Sequence, residues 1–137
     1  MLLKDKFCPI FLKDFIINKH TANLCSKLID KTYIPHILIS GPEGCGKYTL
    51  TKAILNSLYE TNIQSSIKPF KINGKDIEIN CSNYHFEILI DKYSNNKTLI
   101  YDIIEYLTES KDINNTSYIK IIILRNINYC SKEILSF

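Results

Sequence analysis

The chain has 137 residues, 45% of them hydrophobic, with a formal net charge of +3. That length carries one domain with an apolar core, and so small a charge excludes a general electrostatic grip on nucleic acid. No apolar run approaches the roughly 20 residues of a membrane span. Met1-Leu2-Leu3-Lys4-Asp5 also puts charge where a secretory leader needs its apolar stretch, so an intracellular protein without a membrane anchor is expected.

In chain order, Leu12 to Ile17 is a leading segment, and Lys19 to Lys31 has helical spacing at Leu24, Leu28 and Ile29. Pro35 closes that helix, and His36 to Ser40 reads as a buried strand. Lys47 to Tyr59 places Leu50, Ile54, Leu55 and Leu58 on one helical face. Pro69 to Ile72 and Asp76 to Ile90 read as strands around the turn Asn73-Gly74, the second with an irregularity near Ser82-Asn83. Lys97 to Glu109 is a further amphipathic helix, and Tyr118 to Leu124 a further strand, apolar except for Lys120. Ser131 can cap a last helix, with Glu133 in its first turn. The alternation is that of an α/β protein with a parallel sheet flanked by helices.

The segment with most chemistry is Gly41-Pro42-Glu43-Gly44-Cys45-Gly46-Lys47-Tyr48-Thr49. Strand, glycine loop and helix in that order make a phosphate-binding loop. Glycines let backbone N–H groups turn toward phosphate oxygens, the helix N-terminus adds positive potential, and Lys47 adds a formal charge. The usual pattern continues with Ser or Thr, whose hydroxyl holds Mg²⁺; here that position is Tyr48, with Thr49 one place later. The competing reading is a Gly/Pro turn that binds nothing.

The five cysteines, at 8, 25, 45, 81 and 130, form no C-x-x-C pair, and His20, His36 and His85 do not join them at metal-ligand spacing. Free thiols are expected, with Cys45 a small loop side chain rather than a nucleophile. His85 and Glu87 share one face of a strand, with Tyr84 and Phe86 on the other. A structural or solvent-facing His85 and solvated Glu87 and Asp91 are the simpler reading. Tyr101, Tyr106, Tyr118 and Phe70 could stack bases, but without a basic groove pattern around them core packing is preferred.

Lys6-Phe7-Cys8-Pro9 and Asp14-Phe15-Ile16-Ile17-Asn18-Lys19-His20 resemble the opening signature and the next segment of the small subunits of the replication factor C clamp loader. Pro35-His36-Ile37-Leu38-Ile39 leads into the phosphate loop as in the family. Cys81-Ser82-Asn83-Tyr84-His85-Phe86-Glu87-Ile88 closely resembles a segment of the human-type third subunit, which also carries Lys-x-Thr at its loop. Thr98 to Ile104 and Ser131-Lys132-Glu133 sit where the family has its next helix and the helix after Walker B.

The resemblance implies an AAA+ P-loop fold, incomplete here: residues 1–137 would be one truncated nucleotide-binding domain, with a leading segment at 1–34 and the phosphate loop at 41–49. The later strands, lid and collar would be missing, so that either two strands re-pair directly or the sheet keeps open edges of the kind that favour aggregation. The nucleotide, ATP or ADP, would lie on residues 41–49, with Phe7, Cys8, Pro9, Ile16 and Ile17 on the adenine side. Mg²⁺ would be held by Thr49 at most.

Where the family has the acidic Walker B cluster, this chain has Arg125-Asn126-Ile127-Asn128, with no carboxylate. Asn cannot act as a general base and neutralises no metal charge. Little or no ATPase activity is therefore expected. Implied partners are other replication factor C subunits, the sliding clamp and primer–template DNA through the complex, with Lys132 either facing phosphate or simply solvated.

The nucleus is the implied compartment; a cytoplasmic viral replication site is the alternative, since abundant Lys, Asn and Ile suggest an AT-biased genome. Two other functions stay open. One is a non-enzymatic scaffold with a vestigial loop. The other is a small nucleotide kinase, which would need several phosphate-clamping arginines where this chain has only Arg125.

Overall fold

A computed structural model describes residues 8–29, 33–93, 95–109 and 120–129. The chain divides into two compact units, Met1–Ile63 and Gln64–Phe137.

In the first unit, a 3-10 turn at Leu12–Asp14 precedes helix α1, Lys19–Leu28, and helix α2, Lys47–Tyr59. The core is small: Leu12, Ala22, Cys25, Leu50 and Ala53, with Phe15, Ile29, Ile39 and Ile54 packed against it. Helix α1 forms where its spacing predicts but turns another face inward. Ala22, Cys25 and Ile29 meet the core, whereas Leu24 and Leu28 are exposed. Small residues on that stripe let α1 approach closely, which a row of leucines would prevent.

The buried strand expected over His36 to Ser40 is not formed, and Leu38 is 73% exposed. A strand exists only as part of a hydrogen-bonded ladder. The one sheet among the described residues runs β1-β2-β3-β4, entirely within the second unit. Among the described residues this apolar run has no partner strand and no regular secondary structure.

The second unit holds that sheet: β1 at Ser66–Ile72, β2 at Lys75–Cys81, β3 at His85–Leu89 and β4 at Ile121–Arg125. β1 and β2 form the predicted hairpin, with Asn73 (φ 48°) and Gly74 (φ 77°) both left-handed, as a tight two-residue turn requires. Pro69 lies in β1, the edge strand, where its missing N–H is tolerated.

The single strand expected from Asp76 to Ile90 is two. The chain reverses at 82–84 and β3 pairs back on β2 antiparallel, with Cys81 opposite Phe86. Only β3 and β4 are parallel, His85 opposite Ile121 and Leu89 opposite Arg125. The sheet is thus mixed rather than parallel throughout.

Helix α3, Lys97–Glu109, packs Ile100, Ile103, Ile104 and Leu107 against one face of this sheet. There it meets Ile72, Ile77, Ile79, Cys81, Phe86 and Ile88, with Ile122 and Leu124 of β4 alongside. Phe70 stands edge-on to Phe86 at 6.2 Å and to Tyr106 at 6.3 Å, and Tyr101 also packs on this core. Those aromatic rings are packing groups, as the sequence favoured. Lys120 ends α3 by donating to the Leu107 and Thr108 carbonyls at 3.2 and 3.1 Å. A cation there offsets the negative helix end. Tyr118 and the helix expected from Ser131, Lys132 included, lie outside the described residues.

Candidate nucleotide site

The loop between Ser40 and α2 turns on two glycines. Gly44 (φ 74°) and Gly46 (φ 89°) both occupy the left-handed region, which side chains with a Cβ adopt only at a cost. Pro42 accepts a hydrogen bond from the Cys45 N–H at 3.4 Å, closing the bend. Gly46 then starts α2: its carbonyl accepts from Leu50 N–H at 2.9 Å, and no side chain caps the first turn. The leading amides of α2 therefore remain available to an anion, in the positive potential of the helix end. Gly41 must lack a side chain while Cys45 keeps its rotamer, since a Cβ there would sit 2.8 Å from the Cys45 sulfur.

Lys47 Nζ donates to the Gly41 carbonyl at 2.7 Å, so its ammonium lies across the loop's own ends. An ammonium has three protons, which leaves capacity for phosphate oxygen beside this bond. Tyr48 points along the helix, its ring 5.7 Å below the Lys52 ammonium one turn on. Thr49 Oγ1 lies 4.0 Å from Cys8 Sγ, and Thr51 Oγ1 returns to the Lys47 carbonyl at 2.8 Å. Residues 41–46, Glu43 included, are exposed, and residues 47–49 are half-buried.

The leading segment is laid along α2 by two side chains. Ser57 Oγ accepts from Leu12 N–H at 3.0 Å. Asn56, only 3% exposed, donates to the Ile10 carbonyl at 2.9 Å and accepts from Ile63 N–H at 2.9 Å. One buried amide thus ties the segment before α1 to the chain leaving α2. Cys8 reaches Thr49, and half-buried Pro9 comes next in the chain. Phe7 lies outside the described residues, and Ile16 and Ile17 are 91% and 79% exposed.

The remaining predicted residues belong to the second unit. Arg125 closes β4 half-buried, Asn126 (φ 58°) is left-handed, and Ile127–Tyr129 is a 3-10 turn. Asn126 and Asn128 are exposed. At the position after Lys47, where phosphate-binding loops present a hydroxyl to Mg²⁺, this chain has the Tyr48 ring, 5.7 Å from the Lys52 ammonium. Among the described residues no three His, Cys, Asp or Glu side chains gather at metal-holding distance.

Glu87 overturns its reading as a solvated charge. It is 6% exposed and His85 3% exposed, and they meet at 3.0 Å between Oε1 and Nε2. Asn80 Nδ2 donates to the second carboxylate oxygen at 3.1 Å. His85 Nδ1 faces Ser82 Oγ at 2.6 Å, and that oxygen accepts from the Tyr84 and His85 N–H groups at 3.0 and 3.2 Å. With its lone pairs so engaged, Ser82 best gives its own proton to Nδ1, leaving Nε2–H for Glu87. The chain of bonds pins the 82–84 reversal; its role is structural. Asp91 is exposed, as expected.

Burial pushes the Cys25 thiol above its ordinary value, and burial together with the Glu78 carboxylate raises the Tyr93 phenol. Cys8 and Cys45 are exposed free thiols, Cys25 and Cys81 buried ones. Among the described residues no helix is long and apolar enough to cross a membrane.

No protein-family model matches the chain. Individual proteins do. It is 35% identical over 135 residues to a putative replication factor C small subunit of Acanthamoeba polyphaga mimivirus, covering 93% of this chain and 36% of that protein. Replication factor C subunit 3 of Homo sapiens is 28% identical over 141 residues, covering 94% of this chain and 39% of the relative. The Arabidopsis thaliana subunit 3 is 26% identical over 145 residues, with 97% and 41% covered.

The homologues of this chain are replication factor C small subunits. The chain spans 36–41% of the length of these relatives. The phosphate loop, the Ser82–Glu87 reversal and the Arg125–Asn128 turn all fall within a stretch shared with replication factor C proteins along nearly the whole chain.

Proposed function

We propose that residues 1–137 are part of an AAA+-type nucleotide-binding domain of a clamp-loader small subunit. It binds ATP or ADP on residues 41–49 and, within a complex, takes part in loading the sliding clamp on DNA during replication. The observation that carries this reading is the phosphate loop itself: two left-handed glycines, an uncapped helix start and the Lys47 ammonium held across the bend. Homology to replication factor C small subunits over more than nine-tenths of the chain supports the setting.

Hydrolysis by this chain is minimal in this reading. Phosphoryl transfer rests on positioning and charge stabilisation, and the groups at 48, 126 and 128 supply neither a metal ligand nor a base. The nucleotide then acts as a structural ligand that sets how the subunit meets its neighbours. Cys8 and Pro9, laid along α2, border the phosphate loop on the side proposed for adenine. Other replication factor C subunits, the clamp and primer–template DNA are the proposed partners, the last two met through the assembly. The compartment is that of the complex: a nucleus, or a cytoplasmic replication site if the source is viral.

Calorimetric titration of the full chain with ATP and ADP, beside Lys47→Ala, tests this. Binding weakened about tenfold or more by the substitution is expected, since a charge-assisted hydrogen bond contributes about 1.5–3 kcal/mol. Equal heats for the two proteins would overturn nucleotide binding. They would favour a scaffold with a vestigial loop, a reading that the Lys47–Gly41 bond supports, because the ammonium already has an internal acceptor.

A further inference from the structure

The geometry points to a preference of this loop for metal-free nucleoside polyphosphate over its magnesium complex, an inference that rests on the nucleotide-binding reading above. In a loop of this class the residue after the lysine presents a hydroxyl one atom beyond Cβ, and that oxygen ligates the ion bridging the phosphates. Tyr48 has its only oxygen at the far end of an aromatic ring. The ring is directed along α2 beneath the Lys52 ammonium, 5.7 Å from its centroid.

Thr49 does not take over the task. One residue further along a helix turns the side chain by about 100°, and the Thr49 hydroxyl lies beside Cys8 Sγ at 4.0 Å.

The consequence for affinity comes from charge. Magnesium dehydrates reluctantly and demands near-octahedral oxygen ligands. With no hydroxyl at position 48 to replace one of its waters, the ion brings a hydrated shell into the cradle. It also neutralises two of the charges that attract Lys47 and the leading amides of α2. Free polyphosphate keeps its full charge for those same donors. The ion therefore gains nothing from this protein and weakens what the loop can gain from the nucleotide.

The test is titration of the full chain with ADP and with ATP, in EDTA and in millimolar Mg²⁺ at matched ionic strength. Several-fold tighter binding in EDTA is expected, and equal affinity in the two buffers would overturn the preference. Tyr48→Thr should reverse the order, so that Mg²⁺ tightens binding, while its circular dichroism spectrum and urea midpoint report whether it is folded. Binding to the unmodified chain that is tenfold tighter in Mg²⁺ would overturn the inference and leave the nucleotide-binding reading standing. Absence of binding in both buffers would overturn the two together.

Discussion

At the scale of single residues, buried polar groups divide what the sequence discloses from what it hides. Asn56 sits mid-helix, where Asn is a poor helix former, and that mismatch is a legible flag. Its two partners, Ile10 and Ile63, are unreadable because they come from segments outside the helix in both directions. Asn56→Ala should cost about 2–3 kcal/mol, one lost hydrogen bond plus a stranded buried N–H at Ile63; urea denaturation reads the loss. Glu87→Ala should cost about 2–4 kcal/mol, since His85 and Asn80 both lose an acceptor in a buried setting. Glu87→Gln, which keeps one acceptor for His85, should cost clearly less.

Cys25 adds a pH dependence. Its folded-state thiol ionises at higher pH than in the unfolded chain, so its contribution to stability is complete below the ordinary thiol value of 9.0 and is lost as pH rises through the raised one. On this account denaturation midpoints should fall as pH rises above 9.0. Cys25→Ala should flatten that limb, leaving the later decline from Tyr93.

At the scale of elements, periodicity located all three helices, and local turn chemistry located the first hairpin. The Asn73-Gly74 dipeptide specifies its reversal by backbone preference alone, and α3 is marked by its stripe of Ile100, Ile103, Ile104 and Leu107. The second reversal was registered only as an irregularity. Its determinant is the Ser82 hydroxyl bonding to the backbone two and three residues on, a weaker signal than glycine. The failure at His36 to Ser40 has another cause. Three apolar residues, Ile37, Leu38 and Ile39, state a preference for a sheet interior, but pairing is a property of two strands, and one sequence window contains one of them. The bend at Gly44 and Gly46 and the start of α2 were legible because their determinants are local: glycines, lysine and helix start are consecutive. The commitment of Tyr48 to Lys52 was also within reach, as an i, i+4 pair on a helix.

At the scale of the whole molecule, charge decides what the chain does alone. A net charge of +3, without a concentrated basic stripe in the sequence, gives only weak and salt-sensitive attraction to a polyanion. The isolated chain should show no retention of primer–template DNA in a gel-shift assay at about 150 mM salt, where non-specific binders have Kd values of roughly 10⁻⁴ to 10⁻⁶ M. Nanomolar retention would contradict the proposal that DNA is met through the assembly.

The two margins of the sheet are unlike each other. On β1, Pro69 withholds a donor, and Lys68 and Lys71 flank it with charge, features that discourage another strand from docking. On β4, Ile121, Ile122, Ile123 and Leu124 run unbroken and only half-covered, with no such gatekeeper among them. Among the described residues, addition of a further strand is therefore opposed more strongly along β1 than along the apolar stretch of β4, whose charges, Lys120 and Arg125, stand only at its ends.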